Sequence, residues 1–225
     1  AVLATYGMTL MGGFTPVVLH DPAQRQATID SATATAKLFE RAGATKFISA
    51  VVQDWDWSIP RPLSVDEQKH MVEMFGVIDE ICEEHGLQQV LHSHVQTLVE
   101  TKDDINRVLD TCDVNFCLDT GHMAIGGQDP VAFAKEAMDR IGHVHLKDVR
   151  LDMVPPVLRR EVTLMAATQA GLFTPLGQGE INWPEIIAAG KEIGLDWYIY
   201  EQDSGKGDPF DYANASYEFL SKQAL

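Results

Sequence analysis

Short apolar runs alternate along this chain with longer stretches in which apolar residues recur at helical spacing. A short apolar run bounded by polar residues or glycine is typical of a buried strand, whereas apolar residues three and four positions apart form one face of a helix. The runs predict six strands, at residues 9–14, 47–52, 88–94, 114–118, 143–147 and 197–201. The stretches between them predict helices from Asp21 to near Gly43, from Ser64 to near Gly86, over 103–112, from Asp129 to near Ile141, over 161–170, from Asn182, and over 209–220.

Two of the predicted helices begin with recognisable cap residues. Asp21 precedes Pro22, which places an N-cap acid before a proline at the first helical position. Ser64 and Glu67 have the spacing of a capping box. One face of the helix that Ser64 opens is apolar and is expected to pack inward; it holds Met71, Met74, Phe75, Ile78, Ile81 and Cys82.

The order of these elements predicts an α/β fold, specifically a TIM-type (β/α) barrel. Alternating strands and helices favour a parallel sheet with helical crossovers. A complete barrel of this type has eight strands, so six predicted strands imply that two N-terminal strand–helix units are absent from this chain. A six-stranded doubly wound sheet is the alternative, but no glycine-rich phosphate turn follows the first predicted strand. We expect residues 1–225 to form one barrel domain that is incomplete at its N-terminus.

Polar side chains follow four of the predicted strands at the point where each strand ends. The run that ends at Leu118 is followed by Asp119, Thr120, Gly121 and His122. The other three strand ends carry His92 and His94, Lys147 and Asp148, and Glu201 and Asp203. The carboxyl ends of barrel strands form the face that holds the active site. The sequence therefore predicts one site built from carboxylates and imidazoles.

Composition limits the classes of partner. The chain has 225 residues, of which 45% are hydrophobic, and a formal net charge of -16 at pH 7. This charge disfavours nucleic acid and anionic membranes as partners, because proteins that bind them present basic surfaces.

No apolar run approaches the roughly 20 residues that span a bilayer, and the first residues lack the basic start of a secretory signal. We expect a cytoplasmic protein whose cysteines, Cys82, Cys112 and Cys117, are reduced and buried.

Four segments carry a resemblance to a known family. They are His-Ser-His-Val-Gln-Thr-Leu-Val-Glu at 92–100, Leu-Asp-Thr-Gly-His at 118–122, His-Val-His-Leu-Lys-Asp-Val-Arg at 143–150, and Tyr-Glu-Gln-Asp at 200–203. With them the chain resembles the sugar phosphate isomerase/epimerase superfamily of xylose-isomerase-like barrels, and within it the inosose dehydratase branch. Residues 12–16 and 19–22 resemble the third strand and following loop of that branch. The resemblance therefore implies that the missing strands are the first two of the barrel.

The resemblance also implies one divalent metal, held from four consecutive strand ends by Glu100, Asp119, His145 and Glu201. Carboxylates with one imidazole suit Mn²⁺, Co²⁺, Mg²⁺ or Zn²⁺. Two alternatives stay open. His143 shares a strand face with His145, so one of the two could only orient the other. Glu100 could instead be the first-turn acid of a helix, in which case His94 is the candidate ligand.

The other candidate site residues fall into two groups. We expect substrate contacts from His92, His94, His122, Arg150 and Trp55, and catalytic roles for Glu100, Glu201 and Lys147. His122 could instead cap a helix, and the loop that contains Trp55 could either stack on a sugar ring or bury against helices. Lys147 or Arg150 could stabilise an enolate or neutralise the carboxylates.

The activity that the resemblance implies is that of a metal-dependent lyase or isomerase acting on a polyol ketone in carbohydrate or inositol catabolism. The specific hypothesis is dehydration of 2-keto-myo-inositol through an enediolate. Glu201 or Glu100 would remove the α-proton, and Lys147 or a histidine would help to expel the β-hydroxyl. Ketose 3-epimerisation and aldose–ketose isomerisation are alternatives, and a non-catalytic metal- or sugar-binding protein is an alternative of another class. The exposed edges of a six-strand arc also favour pairing with another chain, as in a homo-oligomer.

Overall fold

The computed structural model describes residues 2–223. The chain forms two compact units. Among these residues, the first unit contains those up to Val99 together with Asp103–Phe116, and the second contains Glu100–Lys102 and the residues from Cys117 onward. The expectation of one barrel domain over residues 1–225 stays a prediction.

Parallel strands and helices alternate in the first unit, as the sequence predicts. Its strands are β1 (Gly12–Val17), β2 (Lys46–Val51) and β3 (Gln88–His92), and its helices are α1 (Val2–Thr5), α2 (Arg25–Ala42), α3 (Val65–Glu84) and all but the first residue of α4 (Lys102–Thr111). A 3-10 turn at Pro22–Gln24 leads into α2. β1 pairs with β2 and β2 with β3, both in parallel, so that Gly12 lies opposite Lys46 and Lys46 opposite Gln88.

Strand β4 (Asn115–Asp119) begins in the first unit and ends in the second. The second unit then contains β5 (Ile141–Leu146), β6 (Asp148–Val149), β7 (Phe173–Thr174) and β8 (Ile199–Tyr200), with the helices α5 (Thr120–Ile125), α6 (Pro130–Glu136), α7 (Val154–Leu158), α8 (Leu164–Gln169), α9 (Trp183–Ile193) and α10 (Pro209–Ser221). β5 and β8 pair in parallel, and β6 and β7 form an antiparallel pair. All six predicted strands are present, as β1, β2, β3, β4, β5 and β8.

The cap predictions are confirmed. The Asp21 side chain accepts a hydrogen bond from the Ala23 amide at the start of the 3-10 turn. Ser64 and Glu67 make both reciprocal bonds of a capping box at the start of α3. The predicted apolar face of that helix is buried over its whole length. Gly43 ends α2 with a left-handed φ of 80°, a conformation that glycine adopts without strain.

The first strand begins three residues later than predicted, at Gly12 instead of residue 9. The backbone explains the boundary, because Met11 O accepts hydrogen bonds from the amides of both Thr45 and Lys46 immediately before the ladder begins. At Gly12 a side chain would lie 2.5 Å from Lys46 O, so only glycine allows this approach. Pro16 lies inside β1, which is an edge strand. An edge strand tolerates proline because proline has no N–H to donate to a neighbouring strand.

Elements of the second unit differ more from the prediction. The helix predicted over 161–170 begins at Leu164, because Thr163 is its N-cap and Arg160 has a left-handed φ of 60°. The helix expected to run to Ile141 ends at Glu136. Helix α5 and the β6–β7 pair were not predicted, because both are too short to show a hydrophobic period.

The second unit buries several ionisable side chains. Its buried acidic and basic side chains are Glu100, Asp119, His122, His143, His145, Lys147 and Asp148. Buried charges require partners of opposite charge or hydrogen bonds, so these residues identify the part of the unit where chemistry is expected.

Among residues 2–223, no helix has the length and apolar character needed to cross a membrane. Cys82 and Cys117 are buried free thiols, whereas Cys112 is half-buried.

Candidate active site

Three predicted metal ligands are neighbours in the second unit. Asp119 ends β4, His145 lies near the end of β5, and Glu201 follows β8. The β5–β8 register pairs His145 with Ile199, and Glu201 N donates to Leu146 O at 3.1 Å. As a result His145 Nδ1 lies 3.1 Å from Glu201 Oε2 and 3.7 Å from Asp119 Oδ2.

The Asp-Thr-Gly-His motif after β4 builds one wall of this site. Asp119 Oδ1 accepts a hydrogen bond from His122 N at 2.7 Å and so caps α5, while Oδ2 faces His145. Thr120 Oγ1 donates to Lys147 O at 2.7 Å and accepts from Lys147 N at 2.9 Å. A side chain at Gly121 would lie 3.0 Å from Lys147 Cβ, so glycine leaves room for that lysine. The motif therefore fixes both a carboxylate and the lysine beside it.

Lys147 places a buried ammonium among three carboxylates. Its Nζ lies 3.0 Å from Asp203 Oδ1, 3.1 Å from Glu201 Oε2 and 3.6 Å from Asp119 Oδ2. His122 Nε2 lies 3.2 Å from the same nitrogen, and the Phe173 ring centroid lies 5.2 Å away. His122, predicted as a substrate contact, is thus a neighbour of the lysine in this structure.

The surroundings of Lys147 and Glu201 shift the pKa of each toward its charged form. Burial lowers the pKa of Lys147, but Asp119, Asp203 and Glu201 outweigh burial and leave it raised. Burial raises the pKa of Glu201, but the hydrogen bond and charge of His145, with Lys147, outweigh burial and lower it to about 2. At neutral pH these shifts favour an ammonium at Lys147 beside an ionised Glu201 carboxylate.

Glu100, the fourth predicted ligand, contacts an arginine. Its two carboxylate oxygens accept hydrogen bonds from Arg160, with Nη1 at 3.1 Å from Oε1 and Nη2 bonded to Oε2. Glu100 is 5% exposed, so this paired charge is almost completely buried. Its predicted roles as ligand and base stay predictions, and both would require Arg160 to release the carboxylate.

Arg150, predicted as a substrate contact, lies at the surface of the second unit. Its guanidinium binds the Asp152 carboxylate, with Nη2 at 2.8 Å from Oδ2, and its side chain is 46% exposed. His143 packs against His145 with ring centroids 5.2 Å apart, which agrees with the expectation that the two share a strand face.

The remaining predicted substrate residues lie in the first unit. His92 ends β3 and is buried, and its ring lies 5.4 Å from that of His94. Phe14 packs edge-on to His92 at 5.6 Å and stacks with Trp57 at 6.0 Å. Trp55 instead donates from Nε1 to Gln24 Oε1 at 3.1 Å. The tryptophan that packs against Phe14 and His94 is therefore Trp57, and the substrate contact predicted for Trp55 stays a prediction.

Asp203 and Arg160 contact predicted site residues, but the sequence analysis assigned neither of them a role. Asp203 lies two positions beyond Glu201, and the period of two at a strand end could have indicated that both side chains point the same way. Arg160 lies in a turn after α7, 60 residues from Glu100 along the chain. No local pattern in the sequence identifies that contact.

The donor chemistry of Asp119, His145 and Glu201 fits a divalent metal. One ligand atom from each lies within 4.8 Å of the others. Two carboxylates and one imidazole are ligands that Mn²⁺, Co²⁺, Mg²⁺ and Zn²⁺ all accept, and three protein ligands leave coordination positions for substrate. Thr120 and the His122 amide orient the surrounding groups, as outer partners do in metal sites.

Comparison with known proteins gives consistent matches. The family model described as xylose isomerase-like TIM barrel matches residues 1–223, which confirms the predicted fold class. The chain is 32% identical over 240 residues to the inosose dehydratase of Geobacillus kaustophilus, an alignment covering 99% of this chain and 77% of that protein. Inosose dehydratases from Bacillus strains are matched over 51% or 57% of their own length. The chain therefore spans about half to three-quarters of these relatives.

Solved structures show the same fold at lower identity. The probable 3-DHS dehydratase AsbF from Bacillus anthracis superposes with a TM-score of 0.74 and 21% identity, covering 96% of this chain and 77% of that chain. The IOLI protein with a bound zinc atom gives a TM-score of 0.67 at 17% identity, covering 98% of this chain and 77% of that chain.

Proposed function

We propose a function that follows from family membership, because the chain belongs to the xylose isomerase-like TIM barrel family. The proposed reaction is the metal-dependent dehydration of 2-keto-myo-inositol or a closely related polyol ketone. The matched relatives are enzymes named inosose dehydratase, which supports an enzyme acting on a small carbohydrate-like substrate. The observation that carries the proposal is the cluster of buried Asp119 and His145 with half-buried Glu201, and with Lys147 beside them.

Asp119, His145 and Glu201 are the residues that would hold the metal. When bound there, a divalent cation would act as a Lewis acid on the substrate carbonyl and a neighbouring hydroxyl, and so acidify the α-carbon. The three residues belong to different strand ends. The Asp119 carboxylate accepts a hydrogen bond from the His122 amide in α5, and Glu201 N donates to Leu146 O in β5. Such fixed ligands orient a substrate without reorganisation during the reaction.

Proton movement is assigned to residues of this cluster. The charge and hydrogen bond of His145, with Lys147, hold the pKa of Glu201 low, and this carboxylate would accept the α-proton. Lys147 is held as an ammonium and would donate a proton to the departing β-hydroxyl, which leaves as water while a carbon–carbon double bond forms. Thr120 fixes the lysine backbone, so that the ammonium is positioned before substrate arrives.

Glu100 is not used as a ligand or base in this proposal while Arg160 binds its carboxylate. Its family-implied role as a fourth ligand or base requires the Arg160 contact to open, because a bidentate guanidinium occupies both oxygens. The proposed chemistry therefore uses Glu201 as the base.

A product assay tests the proposal. Metal-depleted protein is reloaded separately with Mn²⁺, Co²⁺, Mg²⁺ or Zn²⁺ and given 2-keto-myo-inositol, while ultraviolet absorbance and NMR follow the product. We expect an absorbing, dehydrated diketone to form only with metal. A rearranged sugar from a ketohexose and no dehydration would select the epimerase or isomerase reaction. Metal and substrate binding without any conversion would select a binding protein.

A further inference from the structure

Lys147 has a carboxylate partner that the proposed metal site does not use. The ammonium lies 3.0 Å from Asp203 Oδ1, its shortest carboxylate contact, and within 3.6 Å of Asp119 and Glu201. Lys147 is 1% exposed, whereas the Asp203 side chain is 37% exposed. Asp203 therefore lies on the solvent side of a buried cation.

Two of the three carboxylates around this lysine have competing uses. Under the proposed function, Asp119 and Glu201 supply oxygens to a divalent cation. A cation at those oxygens and an ammonium within 3.6 Å of them would repel each other, and both would draw on the same negative charge. A carboxylate reserved for the lysine would reduce this conflict.

We propose that Asp203 is a positioning residue that acts as the dedicated counter-ion of Lys147 and keeps the ammonium from competing with the metal for Asp119 and Glu201. This inference rests on the proposed function. The other contacts of the lysine, His122 at 3.2 Å and the Phe173 ring at 5.2 Å, supply no negative charge to balance the ammonium. Asp203 is thus the carboxylate near the lysine that the metal leaves available.

The proposal makes Asp203 important for metal affinity although it is not a ligand. Without the Asp203 carboxylate, the ammonium would be balanced by the charges of Asp119 and Glu201, and a metal would have to compete with it for them. Asp203→Asn should therefore weaken metal binding about tenfold, on the scale of one charge interaction at a partly exposed site. Asp203→Glu, which keeps the charge, should bind within about threefold of the unsubstituted protein.

The experiment measures equilibrium Mn²⁺ binding by calorimetry on metal-depleted protein, and it does not depend on turnover. The decisive comparison is a double-substitution cycle with Lys147→Gln. If Asp203 acts through the lysine, Asp203→Asn should have no further effect once the ammonium is gone. Glu218→Gln, which removes one exposed charge from α10, serves as the charge-matched control and should bind normally.

Three results would overturn the inference. Unchanged Mn²⁺ affinity in Asp203→Asn would remove the competition argument while leaving the proposed metal site intact. An equal loss in the Lys147→Gln background would show that Asp203 acts on the metal or the loop directly. No Mn²⁺ binding by the unsubstituted protein would contradict the proposed function itself and this inference with it. Asp203→Ser supplies a second removal of the carboxylate if the asparagine variant does not fold.

Discussion

Arg160 holds the Glu100 carboxylate with both terminal nitrogens of its guanidinium. The contact joins a turn after α7 to a glutamate that is 95% removed from solvent. The arginine side chain is 30% exposed and its backbone has a left-handed φ of 60°. A bidentate pair of this kind is geometrically specific, because the planar fork of the guanidinium matches the two carboxylate oxygens.

Removing Arg160 should destabilise the second unit. Arg160→Gln leaves a buried carboxylate without its cation, so we expect the free energy of unfolding to fall by about 2 kcal/mol, less than for a fully buried pair because the arginine is partly exposed. Denaturant unfolding measures the change. Hydrogen exchange of residues 154–163 should also become faster, since the turn loses its attachment to Glu100.

Arg159 offers a matched control for this change. It is the preceding arginine and pairs with Glu161, with both side chains more than half exposed. Arg159→Gln should therefore change stability by less than about 0.5 kcal/mol. Equal effects of the two substitutions would show that the buried pair has no special energetic role.

Metal binding should distinguish the predicted ligands from one another. We expect Asp119→Asn and Glu201→Gln to lower metal affinity by more than about 100-fold, beyond the loss typical of outer partners of a metal site. Glu100→Gln should change it by less than about threefold if Arg160 keeps that carboxylate. Calorimetry with Mn²⁺ and Zn²⁺ gives the affinities, and a chelator should reverse the metal-induced rise in melting temperature. A large loss in Glu100→Gln would instead support its role as fourth ligand.

The sequence predicts which site residues are neighbours when those residues lie at the ends of strands. Asp119, His145 and Glu201 each lie at a strand end, and parallel pairing brings such ends together. The Asp-Thr-Gly-His motif likewise indicates a turn and a cap. These inferences depend on local patterns and on the rule that parallel strands share one direction.

Other contacts depend on loops, for which the sequence has no period. Arg160 contacts Glu100 across 60 residues of chain, and its position follows from a left-handed turn that sequence does not specify for arginine. The Trp55 and Trp57 side chains diverge for the same reason, since Trp57 itself has a φ of 57°. Short elements such as α5 and β6 are also missed, because they contain less than two helical turns or one strand alternation.

Asp148 should be important for stability through the loop that it organises. Its carboxylate accepts hydrogen bonds from five donors, the amides of Val149, Gly177, Gly179 and Ile181 and the Trp183 indole. Asp148→Asn replaces one acceptor oxygen by a donor, so at least one buried N–H loses its partner. We expect the free energy of unfolding to fall by about 3 kcal/mol, measured by denaturant unfolding with Trp183 fluorescence as a local probe. Asp152→Asn, at an exposed ion pair, should change it by less than about 0.5 kcal/mol.

Asp79 on α3 should make stability depend on pH in the opposite direction from an ordinary ion-paired carboxylate. Burial, with a smaller contribution from Glu83, raises the pKa of Asp79 from 3.8 to about 6. The folded state therefore binds this proton more tightly than the unfolded state. The associated stability is fully present below about pH 4 and is lost as pH rises through about 6.

Asp79→Asn removes the charge that the folded state disfavours. The variant should match the unsubstituted protein at pH 4 and be more stable at pH 8, by on the order of 1 to 2 kcal/mol once solvent screening is allowed for. Thermal or denaturant unfolding at pH 4, 6 and 8 measures the difference. Glu80→Gln changes the next residue on the exposed side of the same helix and should show no such trend. A constant difference between Asp79→Asn and the unsubstituted protein from pH 4 to pH 8 would mean that the substitution acts through packing and not through the proton on Asp79.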